Sequence, residues 1–247
     1  EREALNGVSM TGISSGKVLG LDTTDAAQVV KMENERVAKL LGIKSAARCT
    51  TVKPAGTTSL TVGTSSGIHA WHNDYYIRRL RVGKNEAIYT YLSLYHPDMI
   101  EDEYFRPHDT AVISVPQKAP EGAIMRTESA LQLLKRVAKI SSEWVKPGTR
   151  NGQNTHNVSA TISIKEDEWT DVGEWMWENR EVYNGLSVLP YDGGTYKQAP
   201  FEDCSKETYE AMLETLSDVD LTKVVEIEDN TDLSGELACA GGACEVK

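Results

Sequence analysis

Helical and extended patterns alternate along this chain, and that alternation narrows its possible folds more than any other feature. Asp22 or Thr24 caps a helix running to about Leu41, with Val29, Val30, Met32, Val37, Leu40 and Leu41 as its apolar stripe and Gly42 at its end. Residues 48–53 read as extended on β-branched Thr50, Thr51 and Val52, and Tyr75 to Val82 alternates as a strand. A short helix is expected from Asn85 to Tyr95 and a strand from Thr110 to Val115. Thr127 is expected to cap a helix to about Trp144, burying Leu131, Leu134, Val137, Ala138 and Val145. Val158 to Ile164 alternates cleanly, Glu166 to Glu178 is a Trp-rich helix, Leu186 to Leu189 a short strand and Lys206 to Leu216 a last helix. Strands spaced by helices predict α/β architecture with largely parallel pairing.

Composition sets the class. A chain of 247 residues with 40% hydrophobic content forms one large domain or two small ones. Its net charge of −11 argues against a general nucleic-acid or membrane-surface partner, either of which favours a basic face. No stretch approaches the ~20 apolar residues of a membrane span, and no signal peptide is visible. Four cysteines are too few for a secreted disulfide scaffold, which points to a reducing cytoplasm. The chain starts at Glu1, and Asn6 to Gly12 reads like the middle of a domain, so a carboxyl-terminal piece of something longer is expected. From about Ser217 the sequence turns acidic, which divides it into a folded part, 1–216, and a mobile tail, 217–247.

Two segments carry candidate chemistry. Pro54, Ala55, Gly56, Thr57, Thr58 and Ser59 follow a strand and precede a helical turn. Successive backbone N–H groups at such a junction form an anion site, and Gly56 permits close approach. The segment is not a Walker loop, and the bland alternative, a Thr-rich capped turn, is the commoner one. Arg78, Arg79 and Arg81 are available nearby in sequence as positive charge. The second segment is Cys239-Ala240-Gly241-Gly242-Ala243-Cys244, a dithiol whose glycines let the backbone turn sharply enough for a disulfide. A tail reaching roughly 25 Å can carry such a pair across a domain. Surface thiols without a role, or half of a metal site, are the alternatives. Zinc wants about four ligands, and no further Cys or His pair has suitable spacing.

Taken in order, several segments resemble the adenosylcobalamin-dependent (class II) ribonucleotide reductases, of the monomeric ribonucleoside-triphosphate type. They are Gly7 to Gly12, Val52 to Ser59, Ser66-Gly67-Ile68-His69, Tyr75 to Arg79, Asn157 to Thr161, Gly185-Leu186-Ser187, Tyr196 to Pro200 and the final dithiol. The resemblance implies a ten-stranded α/β barrel, of which this chain supplies much of the second half. It also implies that Pro54 to Ser59 holds the substrate's phosphates, with Ala55 where the family often has Ser. A thiyl radical in the family abstracts the ribose 3′-hydrogen, the 2′-hydroxyl leaves as water, and a cysteine pair becomes a disulfide. Cys239 and Cys244 would then re-reduce that buried disulfide and be restored by thioredoxin, since exchange needs a thiolate brought to the sulfur. The implied cofactor is adenosylcobalamin, bound mainly by residues outside this chain. The implied partners are a ribonucleotide, thioredoxin or a similar reductant, and a missing amino-terminal portion. The radical cysteine and its acidic neighbour are expected before Glu1, so the chain alone is expected to be inactive.

The remaining conspicuous residues take plainer readings. Cys49 reads as a small buried strand residue and Cys204 as part of a helix-capping region. His69 and His72 read as loop histidines near the substrate, with a metal pair as the alternative, and no metal ligand is assigned. Trp169, Trp175 and Trp177 read as packing, and Glu166-Asp167-Glu168 as a helix start. Two other functions compete with the main one: the large subunit of an iron-dependent ribonucleoside-diphosphate reductase, and a non-catalytic redox or docking module.

Overall fold

The computed structural model describes residues 4–191 and 197–231. In chain order it forms β1 (Leu5–Ser9), α1 (Thr24–Leu41), β2 (Arg48–Thr51), α2 (Gly56–Thr61), β3 (Tyr75–Gly83), α3 (Ala87–Tyr95), β4 (Ile100–Asp102) and β5 (Thr110–Lys118). There follow α4 (Ala130–Ile140), β6 (Thr161–Ile164), α5 (Trp169–Glu178), β7 (Ser187–Pro190), β8 (Phe201–Asp203) and α6 (Lys206–Ser217). The α/β class is as expected. The described residues fall into two compact units, one built from residues 4–71 and 121–191, the other from 72–120 and 197–231.

The first unit holds the parallel strands. β1 pairs with β2, Val52 just beyond β2 bridges Val158, and β6 pairs with β7, all in parallel. Their carboxyl ends therefore point the same way. Beneath them lies an apolar core that includes Ile13, Val52, Ile68, Leu134, Ile140 and Ile162. Among the described residues the strands do not close into a barrel.

Two expectations about helices are corrected here. The bulky stripe assigned to the buried face of α1 is largely outside: Val29 is 62% exposed and Leu40 72%, and Met32 and Leu41 are likewise exposed, while Ala27 and Ala38 are buried. Small residues let the helix approach β2 closely, and Asn34 completes that face by accepting the Ala46 N–H at 2.9 Å. The cap of α4 is Ser129 in place of Thr127. Its hydroxyl accepts from Gln132 N at 3.2 Å while the Gln132 carboxamide oxygen accepts from Ser129 N at 2.8 Å, a reciprocal capping box. The helix does run on toward Trp144, through the π-helical turn Ser141–Val145.

The second unit corrects the expectation of largely parallel pairing. Its four strands, in the order β4-β5-β3-β8, are antiparallel throughout. β3 and β5 pair over their full length, from Tyr75–Lys118 to Gly83–Thr110. The segment between them doubles back through α3 and β4 without returning the chain to the start of β3, and a parallel pair requires such a crossover. α6 starts at Ser205, whose hydroxyl accepts from Thr208 N, so Cys204 stands next to a cap as expected. The first residues of the expected tail remain attached: Asp220 N donates to the Tyr91 hydroxyl at 3.0 Å, and Leu221–Lys223 forms a 3₁₀ turn.

Candidate phosphate-binding site

The segment from Pro54 to Ser59 leaves the carboxyl end of β2, the end of a parallel sheet at which ligands gather. Pro54 stops the extended chain, and α2 begins at Gly56, so Gly56, Thr57 and Thr58 supply the first-turn N–H groups that a helix leaves without intrahelical acceptors. The Ala55 N–H is used internally, donating to the Ser66 hydroxyl at 2.9 Å. Thr58 is exposed. Ser59 is only 1% exposed, and its hydroxyl meets that of Thr11 at 2.7 Å. Within the six-residue segment, then, Ser59 anchors the loop, and Gly56 at the start of α2 is half-buried.

What holds the loop is a knot of three segments that are distant in sequence. Thr11 follows β1, and its hydroxyl donates to Ser65 O at 3.0 Å and accepts from Gly67 N at 2.9 Å. Its one proton is spent on Ser65, so Ser59 is the donor in the Ser59–Thr11 pair. Gly12 N also donates to Ser65 O, and Ile13 N to Gly67 O. Gly67 has φ +56, and a Cβ there would stand 2.7 Å from the Lys53 carbonyl, so backbone conformation and space both demand glycine. The Ser14 hydroxyl and Arg136 Nε both donate to Ile68 O, and Arg136 is fixed by a buried two-pronged ion pair to Glu128 at 2.6 and 2.7 Å.

Lys53 and Asn157 are the site residues that sequence reasoning passed over. Lys53 N donates to the Ser9 hydroxyl at 3.0 Å, and its ammonium group donates to Asn157 Oδ1 at 2.6 Å, at the carboxyl end of β2. The pointer was already visible, because both lie inside segments of the resemblance, and Lys53 directly precedes the loop. A separate small hollow opens at β6 and just beyond β7, lined in part by His69, Arg126, Ser129, Thr161, Lys165 and Tyr191. His69 is buried, with Nδ1 3.2 Å from Ser66 O and Nε2 3.1 Å from Thr161 N.

Other candidates lie elsewhere. Arg78, Arg79 and Arg81 belong to β3 in the second unit and are engaged there. Arg78 donates to Pro200 O and stacks on Phe201, Arg79 pairs with Glu202 at 2.6 Å, and Arg81 with Glu103 at 3.6 Å. His72 also belongs to that unit, where it pairs with Asp203 at 3.0 Å and stacks on Phe201. Among the described residues no three His, Cys, Asp or Glu side chains gather at a metal site. Burial pushes the neighbouring Tyr76 phenol up to about 12, with Arg78 opposing. Burial also raises the thiol of Cys49, and burial followed by Asp203 and Glu202 raises that of Cys204. Trp175 packs against the core as expected, whereas Trp177 is 73% exposed beneath Arg180. Gln198 clamps the Asp102–Tyr104 backbone, donating to Asp102 O and accepting from Tyr104 N, each at 2.8 Å. Cys239, Cys244 and Tyr196 lie outside the described residues.

No family model matches the chain. It is 28% identical over 239 residues to the adenosylcobalamin-dependent ribonucleoside-triphosphate reductase of Lactobacillus acidophilus, covering 92% of this chain and 30% of that protein. It is 30% identical over 236 residues to the protein of the same name from Lactobacillus leichmannii, covering 89% of this chain and 29% of that one. A crystal structure of a B12-dependent (class II) ribonucleotide reductase superposes with a TM-score of 0.71 at 24% identity, over 90% of this chain and 34% of its own. The chain thus spans about three-tenths of the length of the curated relatives it matches. In sequence over nine-tenths of its length, the chain is a relative of the adenosylcobalamin-dependent ribonucleotide reductases.

Proposed function

We propose that this chain is the carboxyl-terminal part of a ribonucleotide reductase that converts ribonucleoside triphosphates to 2′-deoxyribonucleotides by thiyl-radical chemistry. The observation that carries the reading is the knot. The segments around Thr11, Gly56 and Gly67 converge just past the carboxyl ends of the parallel strands β1 and β2, where α2 begins. Pro54 to Ser59 would take the substrate's phosphates mainly through main-chain N–H groups, so the loss of a hydroxyl at Ala55 costs little. The parallel run of β1, β2, β6 and β7 is the part that would join further strands in a ten-stranded barrel. Cys239 and Cys244 would re-reduce the active-site disulfide at the expense of thioredoxin, in the cytoplasm. No helix of the described residues is long and apolar enough to cross a membrane.

Adenosylcobalamin belongs to the assembled enzyme in this reading. Among the described residues no three His, Cys, Asp or Glu side chains gather at a metal site, which fits a cofactor whose cobalt is carried by its own macrocycle. Its contacts are assigned to the rest of the reductase. The iron-dependent alternative is not favoured, because the relatives are named for adenosylcobalamin.

The test is reconstitution with the remaining reductase portion, assayed with and without adenosylcobalamin. Cobalamin-dependent reduction of a ribonucleoside triphosphate is expected. Gly56→Val should raise the KM for that substrate severalfold, and an unchanged KM removes the phosphate assignment.

A further inference from the structure

We infer that His69 is a positioning residue, a strut that fixes the phosphate loop to the first residue of β6. The inference deepens the proposed function and rests on it. The path runs through four residues of the first unit. Thr161 N approaches His69 Nε2 at 3.1 Å, His69 Nδ1 approaches Ser66 O at 3.2 Å, and the Ser66 hydroxyl receives the Ala55 N–H at 2.9 Å.

The chemistry of the partners fixes the protons. A carbonyl oxygen only accepts, so Nδ1 carries the hydrogen, and a main-chain N–H only donates, so Nε2 presents its lone pair. Both contacts require the same neutral tautomer. An imidazolium would set two N–H groups against each other at Thr161. The same arithmetic excludes two other roles: with both nitrogens occupied, the ring has no lone pair left for a metal or for a substrate proton. His69 therefore acts through Ser66 on the backbone of the loop and touches no reacting atom.

Nitrogen-15 NMR of the histidine ring in the chain itself tests the strut apart from the reductase reading. One pyrrole-like Nδ1 and one pyridine-like Nε2 are expected at neutral pH, and His69→Leu should shift the Ala55 amide resonance. In the assembled reductase, His69→Leu and Ser66→Ala should each raise the KM for the triphosphate about tenfold and lower kcat less; in His69→Leu the Ser66 carbonyl keeps the main-chain N–H of residue 69 at 3.0 Å, so the loss falls on the ring's tie to Thr161. The double variant should add little beyond either single one, because both cut one path. His69→Gln, whose Oε1 can accept from Thr161 N, should recover most of the loss. An Nε2–H tautomer, or an Ala55 amide unmoved in His69→Leu, overturns the strut. A wild-type KM in folded His69→Leu, or full additivity with Ser66→Ala, overturns the positioning role while the reductase reading stands. If the assembled protein reduces no ribonucleotide, that reading fails, and the tautomer and the Ala55 amide still decide the strut.

Discussion

The hydroxyl of Thr11 stands 2.7 Å from that of Ser59, joining the end of β1 to the helix of the phosphate loop across 48 residues of sequence. With Ser65 O and Gly67 N as its other partners, this one oxygen satisfies three groups from two segments. Thr11→Val keeps the shape and deletes all three bonds. Leaving buried polar groups unpaired costs about 1–3 kcal/mol each, with partial relief by water at this half-buried position, so a loss of about 3 kcal/mol is expected in urea unfolding. Thr11→Ser should stay within about 1 kcal/mol of the parent. A small effect of the valine would mean that the knot is incidental to the fold.

Two glycines separate backbone strain from crowding. Gly67 at φ +56 faces the Lys53 carbonyl, while a Cβ added to Gly122, at φ +77, would meet nothing within 4 Å. Gly122→Ala should cost only the left-handed backbone penalty, about 1–2 kcal/mol. Gly67→Ala adds a main-chain collision and should cost clearly more, with the midpoint of denaturation as the measure. Equal losses at the two sites would dismiss the close approach of Gly67 to Lys53.

Glu128 and Arg136 form a buried pair, with side chains 10% and 5% exposed. Glu128→Gln leaves a guanidinium without its counter-charge in the interior, where breaking such a pair typically costs about 3–5 kcal/mol. The double change with Arg136→Met removes the stranded charge and should be less damaging than Glu128→Gln alone. If the double variant proves the worse of the two, Arg136 contributes chiefly through its bond to Ile68 O.

His69 makes stability depend on pH. Burial drives its pKa below the ordinary 6.5, with the Ser66 carbonyl opposing and Arg136 adding to the fall. As pH drops through 6.5 the unfolded ring takes up a proton that the folded ring refuses. The unfolded state then binds more protons and stability declines, levelling off once the folded ring also titrates. Above about pH 7.5 this contribution is flat. Unfolding free energies of the parent and of His69→Gln, compared across this range, should differ by an amount that shrinks or reverses as the solution is acidified. A constant difference would show that the ring titrates alike in both states.

Much of the fold was legible, and its gaps have physical causes. α1, β3 and α6 were readable from their long runs and, for α1, from Gly42 at its end; its N-cap is Thr23 in place of the expected Asp22 or Thr24, and the Thr23 side chain makes no capping bond. β1, β4 and β8 were not, since three to five residues carry too little pattern to stand out. Side-chain periodicity also misjudged α1, whose inner face is made of alanines and a hydrogen-bonded asparagine while its large apolar residues point away. Strand direction was misread in the second unit because alternation reports burial, not polarity of pairing. At the site, the loop's place after a strand was evident from Pro54 and Gly56. The contacts of Ser59 with Thr11 and of His69 with Thr161 join segments 48 and 92 residues apart, which no local pattern encodes.

The cysteines make the last prediction. Cys49 is buried on β2, and Cys204 lies beside Asp203 and Glu202, so both thiols are held above their ordinary range and carry little thiolate at neutral pH. Neither is suited to fast exchange, and the proposed function gives that role to Cys239 and Cys244. Cys239→Ser or Cys244→Ser in the assembled reductase should abolish multiple turnovers with thioredoxin and leave turnover with a small dithiol largely intact, because a small reductant reaches the buried disulfide by itself. Cys49→Ala and Cys204→Ala should change neither rate by more than about twofold, given their depleted thiolate. Equal loss under both reductants in the tail variants would show that the tail carries no electrons, and a thioredoxin-specific loss in Cys204→Ala would move that role to the cap of α6.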